Sequence, residues 1–201
     1  MEERIAVSKK IMIINGSPRK GGNTAIVANW VAAGAMEAGA EVELIDATRL
    51  ENKANGCQGC RSCNNNEKYR CVIKDETSEL VARMLEQDVV VFATPVYFGS
   101  CSAQLKRLLD RMYCFKRILG GGRFTVEPGL KNVSLALIAT AGADEKSGLA
   151  SLAANMRDVT AGLNKELQEL LLPFCPAQPT EMASREAVRD QAKAFGKQLT
   201  L

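Results

Sequence analysis

Four cysteines carry the densest chemistry in this chain. Cys57-x-x-Cys60-x-x-Cys63 is followed by seven residues and then Cys71, so four thiols fall within fifteen residues. Soft thiolates at this density suit a metal, because like charges held together without a cation repel. A cubane iron–sulfur cluster needs four such ligands from a loop that can fold around it, and Gly56 and Gly59 ease the wrapping. The same spacing also suits tetrahedral zinc, a redox thiol pair, or a loop packed by small thiols. Cys101, Cys114 and Cys175 stand apart and read as small buried hydrophobes.

A second chemical signature lies near the N-terminus. Residues 10–15 include the apolar stretch 11–14, read as a buried parallel strand. It ends in Asn15-Gly16, and residues 17–24 are small, polar and basic before a helical pattern opens near Asn23 or Thr24. Strand, short loop and helix N-terminus form a phosphate-holding arrangement, since free main-chain N–H groups and the positive end of the helix dipole converge there. Ser17, Asn23 and Thr24 add side-chain donors and Arg19 adds charge. The loop has neither the nucleotide-triphosphatase spacing nor the Gly-x-Gly-x-x-Gly of dinucleotide folds.

Two further loops belong with it. Residues 94–100, Thr-Pro-Val-Tyr-Phe-Gly-Ser, carry a Pro-fixed backbone and two aromatics, and residues 140–144, Thr-Ala-Gly-Ala-Asp, are small enough for a flat ring to approach main-chain N–H groups. Each follows an apolar strand. A flat ring bearing a phosphate tail suits all three, because ligands of open parallel sheets sit outside the carboxyl ends of the strands.

The elements that must position these groups alternate. Strands are expected at 10–15, 41–46, 88–94 and 132–140. Helices are expected at 23–38, from a cap at Asp75 or Thr77 to 86, at 102–115, after Gly148, and at 182–198. The cysteines fall in a loop over about 47–75, and Gly120-Gly121-Gly122 in a long loop. Residues 167–175 read as an apolar edge strand or a helix end, with Pro173 and Pro176 arguing for irregular backbone. The pattern predicts an α/β fold, a doubly wound parallel sheet with helices on both faces. At 201 residues a single domain is the expectation.

Composition sets the outer limits. Hydrophobic residues make up 46% and charged residues 24%, as in ordinary globular proteins. A net charge of +3 gives no reason to expect nucleic acid or a membrane surface as partner. No apolar run approaches the ~20 residues of a membrane helix. The N-terminus shows no signal-peptide core, so a cytoplasmic location and reduced thiols are expected. The absence of histidine excludes His-based triads and His–metal sites.

The chain resembles the NADPH-dependent FMN reductase and iron–sulfur flavoprotein branch of the flavodoxin-like superfamily. The resemblance rests on residues 16–24 (GSPRKGGNT), on the cysteine cluster running into 71–76 (CVIKDE), and on 94–111 (TPVYFGSCSAQLKRLLDR). It implies a three-layer flavodoxin-like fold with FMN bound. Ser17, Arg19, Asn23 and Thr24 would then hold the phosphate. Pro95, Val96, Tyr97, Phe98 and Gly99 would line the isoalloxazine and ribityl chain, and Thr140, Ala141 and Gly142 would close the other side. By the same resemblance Cys57, Cys60, Cys63 and Cys71 would ligate a 4Fe–4S cluster, and the protein would be a homodimer or homotetramer. Electrons would come from NAD(P)H, visiting transiently, or from a one-electron donor such as ferredoxin. FMN would carry the chemistry, so no protein acid or base is required. Asp110 and Arg111 read as structural ion-pair partners. A non-catalytic FMN- or zinc-binding redox sensor is the alternative from another class.

Overall fold

β1 (Lys10–Asn15) is apolar on both faces because both are covered. Ile11 and Ile13 pack under α1 (Asn23–Glu37) and α6 (Glu186–Gln198). Met12 and Ile14 join a second core with α2 (Glu76–Arg83), α3 (Ala103–Arg111) and α4 (Ala150–Ala161). β2 (Glu41–Asp46), β3 (Val89–Pro95), β6 (Ser134–Thr140) and β7 (Leu167–Leu172) complete a five-stranded sheet, all parallel, in the order β2-β1-β3-β6-β7. The chain direction across the sheet reverses between β1 and β3, which makes their carboxyl ends the switch point where ligands bind. The computed structural model describes residues 8–65 and 68–201. Residues 1–7, on which the reading of the N-terminus rests, lie outside that description.

Of the two readings open for 167–175, the edge strand holds, as β7 over residues 167–172, and the chain beyond Pro173 reaches the switch point. Three other features differ from the sequence reading. The segment around Gly120-Gly121-Gly122 is not a plain loop. It turns a hairpin between β4 (Lys116–Gly120) and β5 (Arg123–Val126), with all three glycines at positive φ. The last helix is broken into α5 (Pro179–Ala183) and α6. The third helix ends at Arg111 and continues as a tighter turn, Met112–Phe115.

α1 and α6 touch backbone to backbone. A Cβ on Gly34 would lie 2.1 Å from the Lys193 carbonyl oxygen, and one on Gly196 would lie 2.1 Å from that of Val31. α1 is thereby held firmly with its N-terminus at the switch point. α3 is fixed against the same place. Its cap Ser102 accepts from Leu105 N–H at 3.2 Å and donates to the Gly16 carbonyl at 2.5 Å, and the Ser102 N–H donates to Thr94 Oγ1 at 3.0 Å. Only glycine fits at position 16, since a Cβ there would sit 2.6 Å from Leu105 Cβ. No helix among the described residues is long and apolar enough to cross a membrane.

Candidate cofactor cleft and cysteine centre

A cleft of about 280 Å³ opens at the switch point. Ser17, Arg19, Asn23, Thr24, Pro95, Val96, Tyr97, Thr140, Ala141 and Gly142 line it, so ten of the twelve residues expected around a flavin converge. The α1 N-terminus faces this space with no side-chain cap and no acidic residue in its first turn. Its first N–H groups have no partner within the helix, and its positive end is uncompensated. The surrounding side chains are tied down. Ser17 N–H donates to Asn15 Oδ1 at 3.0 Å, and Thr24 Oγ1 pairs with Thr140 Oγ1 at 2.7 Å. Arg19 Nη2 and Asn23 Nδ2 donate to the carbonyls of Ala177 and Pro176 at 3.2 and 2.6 Å. Asn23 Oδ1 is buried and receives no hydrogen bond. That orphaned acceptor, beside a bare helix end and a guanidinium, fits a ligand with an anionic group and a hydroxylated chain, which is the chemistry of an FMN tail.

Sequence reasoning missed a fourth wall. Cys175, Pro176 and Ala177 line the cleft, held by Cys175 N–H to the Ala141 carbonyl at 2.8 Å. They follow the carboxyl end of β7, so the rule that located the other loops would have located this one had 167–172 been assigned as strand. Burial pushes the Cys175 thiol above its ordinary pKa.

Phe98 and Gly99 do not line the cleft. Tyr97 and Ser100 pair as an antiparallel bridge, with Phe98 at φ +49° and Gly99 at φ +71° between them. Two positive φ values make the mirror-image tight turn, which projects the Phe98 ring into solvent. The N–H groups of Val96, Tyr97 and Ala141 are engaged by main-chain carbonyls. Gly148 lies under the turn, where a Cβ would meet Gly99 Cα at 2.9 Å.

The four cysteines converge elsewhere. Cys57, Cys60, Cys63 and Cys71 line one narrow cavity together with Arg111, Tyr113 and Cys114. Sulfur there meets prepared donors. Gly59 N–H donates to Cys57 Sγ at 3.4 Å, and Ser62 supplies N–H and hydroxyl to Cys60, holding that thiol below its ordinary pKa. Arg111 Nε–H donates to Cys71 Sγ at 3.2 Å. Burial pushes Cys63 up, aided by the neighbouring Cys57 and Cys71. Burial pushes Cys114 up to about 12. The β4–β5 hairpin straps this loop. Asn64 exchanges hydrogen bonds with the Ile118 main chain, Tyr69 OH meets Thr125 Oγ1 at 2.9 Å, and Arg117 stacks 4.5 Å from the Tyr69 ring.

Among the described residues no three cysteine or acidic groups stand close enough to hold a single metal ion. The donor chemistry still fits a thiolate-bound metal, since four sulfurs share one cavity and hydrogen-bond donors already face three of them. The four cysteines do not border the cleft: the two cavities have no lining residue in common. At one end of α3 the cap Ser102 donates to the Gly16 carbonyl, just before the 17–24 loop, and at the other end Arg111 donates to Cys71 Sγ, about 14 Å further along the helix.

The chain is 39% identical over 102 residues to an iron–sulfur flavoprotein of Methanocaldococcus jannaschii, a stretch covering 51% of each protein. It is 35% identical over 108 residues to an iron–sulfur flavoprotein of Methanosarcina thermophila, 54% of each. The match thus spans about half the length of these curated relatives. Among solved structures, an NAD(P)H:quinone oxidoreductase from Methanothermobacter marburgensis superposes with a TM-score of 0.72 at 20% identity, covering 96% of this chain and 97% of that one. An FMN-dependent NADH-azoreductase from Bacillus anthracis, solved with FMN, gives 0.70 at 12% identity, covering 96% and 100%. At these identities the likeness is one of fold, and it is the flavodoxin-like α/β fold. The family model described as NADPH-dependent FMN reductase matches residues 9–165, more than half of the chain. Fold, cleft and family match agree: this chain belongs to the NADPH-dependent FMN reductase family.

Proposed function

We propose that this protein is an FMN-dependent oxidoreductase that takes electrons from NAD(P)H and passes them on, with an iron–sulfur cluster on its four clustered cysteines. The observation that carries the FMN assignment is the α1 N-terminus: bare of any cap or acid, flanked by Ser17, Arg19 and Thr24, and open to a cleft walled by Pro95–Tyr97 and 140–142. The first N–H groups of α1, the Ser17 and Thr24 hydroxyls and the Arg19 guanidinium would hold the phosphate through charge-assisted bonds, and the unpartnered Asn23 Oδ1 would accept from a ribityl hydroxyl. FMN supplies the hydride-accepting ring. The chain's own work is to hold that ring between the Val96–Tyr97 segment and Ala141–Gly142, and to exclude water from one face. No side chain in the cleft is placed as an acid or base, and hydride transfer needs none.

In the same reading Cys57, Cys60, Cys63 and Cys71 bind a 4Fe–4S cluster in a reducing cytoplasm. Names of the relatives and the sulfur-directed donors around Cys57, Cys60 and Cys71 support this. Such a cluster exchanges single electrons with a partner such as ferredoxin. A homodimer or homotetramer belongs to the proposal too, and the exposed apolar side chains of Tyr113, Ile118, Leu119 and Phe124 around the cysteine loop offer a surface for it.

The test is anaerobic addition of NADPH or NADH to protein loaded with FMN. Bleaching of the bound-flavin bands on adding either supports the assignment. Protein that binds zinc but no flavin would instead be a thiol-based sensor.

A further inference from the structure

Arg111 is only 2% exposed, yet it carries a full charge. A buried guanidinium is costly unless its donors are met. Asp75 meets two of them, with Nη1 3.0 Å from Oδ2 and Nη2 3.0 Å from Oδ1. Nη2 also donates to the Ile73 carbonyl at 3.1 Å. The remaining direction, Nε–H, points at Cys71 Sγ, 3.2 Å away. Asp75 in turn accepts from Lys53 N–H at 3.0 Å and Ser78 N–H at 2.9 Å. One buried pair therefore ties both ends of the cysteine segment to α2 and α3 and sets a positive charge against one sulfur.

Stability alone does not account for this arrangement, because buried ion pairs are often matched or bettered by apolar residues of similar size. Nor is Cys71 like Cys57 and Cys60, whose sulfurs receive main-chain or hydroxyl donors carrying no charge. We propose that Arg111 is a positioning residue of the four-cysteine metal centre: its Nε–H···Sγ bond fixes Cys71 as a ligand and balances part of the centre's negative charge. The inference rests on the reading of these cysteines as a metal centre. A charged donor on a ligand sulfur favours the more negative, reduced state, so it raises the reduction potential, and outer-shell partners of this kind commonly contribute 10–100-fold to metal affinity.

The experiment uses the full chain, cleared of metal under argon and titrated with Co²⁺, whose thiolate charge-transfer band reports ligation. Arg111→Gln, Cys71→Ser and their combination form a double-mutant cycle. Arg111→Gln leaves Asp75 buried and unpaired, so Asp75→Asn/Arg111→Gln is measured beside it. That pair is neutral and keeps a capping oxygen for α2, and retained FMN binding reports its fold. The expected result is cobalt affinity about 10–100-fold weaker in both Arg111 variants, no further effect of Arg111→Gln once Cys71 is serine, and a lower midpoint potential for the iron-reconstituted neutral pair. Wild-type cobalt affinity in the neutral pair, or an equal loss with Cys71 present or absent, would overturn the role. Wild-type protein that binds neither cobalt nor iron would remove the metal centre itself, and Arg111's role with it, while leaving the FMN assignment standing.

Discussion

Replacing Ser17 with alanine separates the phosphate site from the rest of the cleft. Ser17 is 5% exposed, and its Oγ accepts a single bond, from Arg19 N–H at 3.3 Å. Among the described residues its hydroxyl hydrogen meets no acceptor, which leaves it to donate into the cleft. Losing the bond to Arg19 costs the fold only about 0.5–1.5 kcal/mol, and Ser17 N–H keeps Asn15 Oδ1 as its acceptor. A hydrogen bond to a charged phosphate contributes about 1.5–3 kcal/mol, which is roughly a 10- to 150-fold rise in the FMN dissociation constant. Riboflavin, which has the same ring and ribityl chain but no phosphate, should bind wild type and variant alike to within about twofold. Titration of flavin fluorescence with wild-type and Ser17→Ala protein, for both ligands, gives the four constants. An equal loss for riboflavin, or no loss for FMN, would refute the placement of the phosphate at α1.

Other perturbations test the scaffold around the sites. Gly34→Ala and Gly196→Ala each drive a methyl to 2.1 Å from a carbonyl of the facing helix, and overpacking of this kind costs about 1–3 kcal/mol. Thermal melts should fall by roughly 2–12 °C, and an unchanged melt would contradict the close approach. Burial opposes ionisation of Asp75, but hydrogen bonds from Arg111, Ser78 and Lys53 outweigh it and hold the carboxyl below the usual range. Its contribution is therefore present above the ordinary aspartate value of about 3.9 and lost as pH falls through the lower folded-state value; urea midpoints against pH should show a flatter acid limb in Asp75→Asn. Phe98→Asn places the favoured Asn-Gly pair in the mirror-image turn, and should raise stability by up to about 1 kcal/mol with FMN affinity unchanged. Weaker FMN binding in that variant would show that the Phe98 ring closes over the ligand.

The sequence made the apolar strands legible because β1, β3 and β6 are covered on both faces and carry continuous hydrophobic runs. It made most of the cleft legible because three strand-to-helix loops share unusual small and polar residues. Strand order was not legible, since periodicity says which face a residue takes and nothing about its neighbours across the sheet. The wall at Cys175–Ala177 was hidden by Pro173 and Pro176, whose ring constraints read as irregular backbone, although both lie just beyond the last hydrogen-bonded residue of β7. The β4–β5 hairpin was hidden by Gly120-Gly121-Gly122, which read as loop; the structure uses their positive φ to turn two short strands over the cysteine segment. Arg111 read correctly as the type of residue that forms ion pairs, but only tertiary packing brings Asp75 and Cys71 to the two sides of its guanidinium.

Chemical analysis of protein purified without oxygen tests the central claim most directly. Flavin, iron and acid-labile sulfide are counted per chain, in wild type and in Cys60→Ala/Cys63→Ala. The account predicts about one FMN per chain in both, and about four iron and four sulfide in wild type only. A protein that retains no flavin would contradict the oxidoreductase assignment. Less than about one iron per chain, or a full complement surviving loss of the two cysteines, would contradict the cluster.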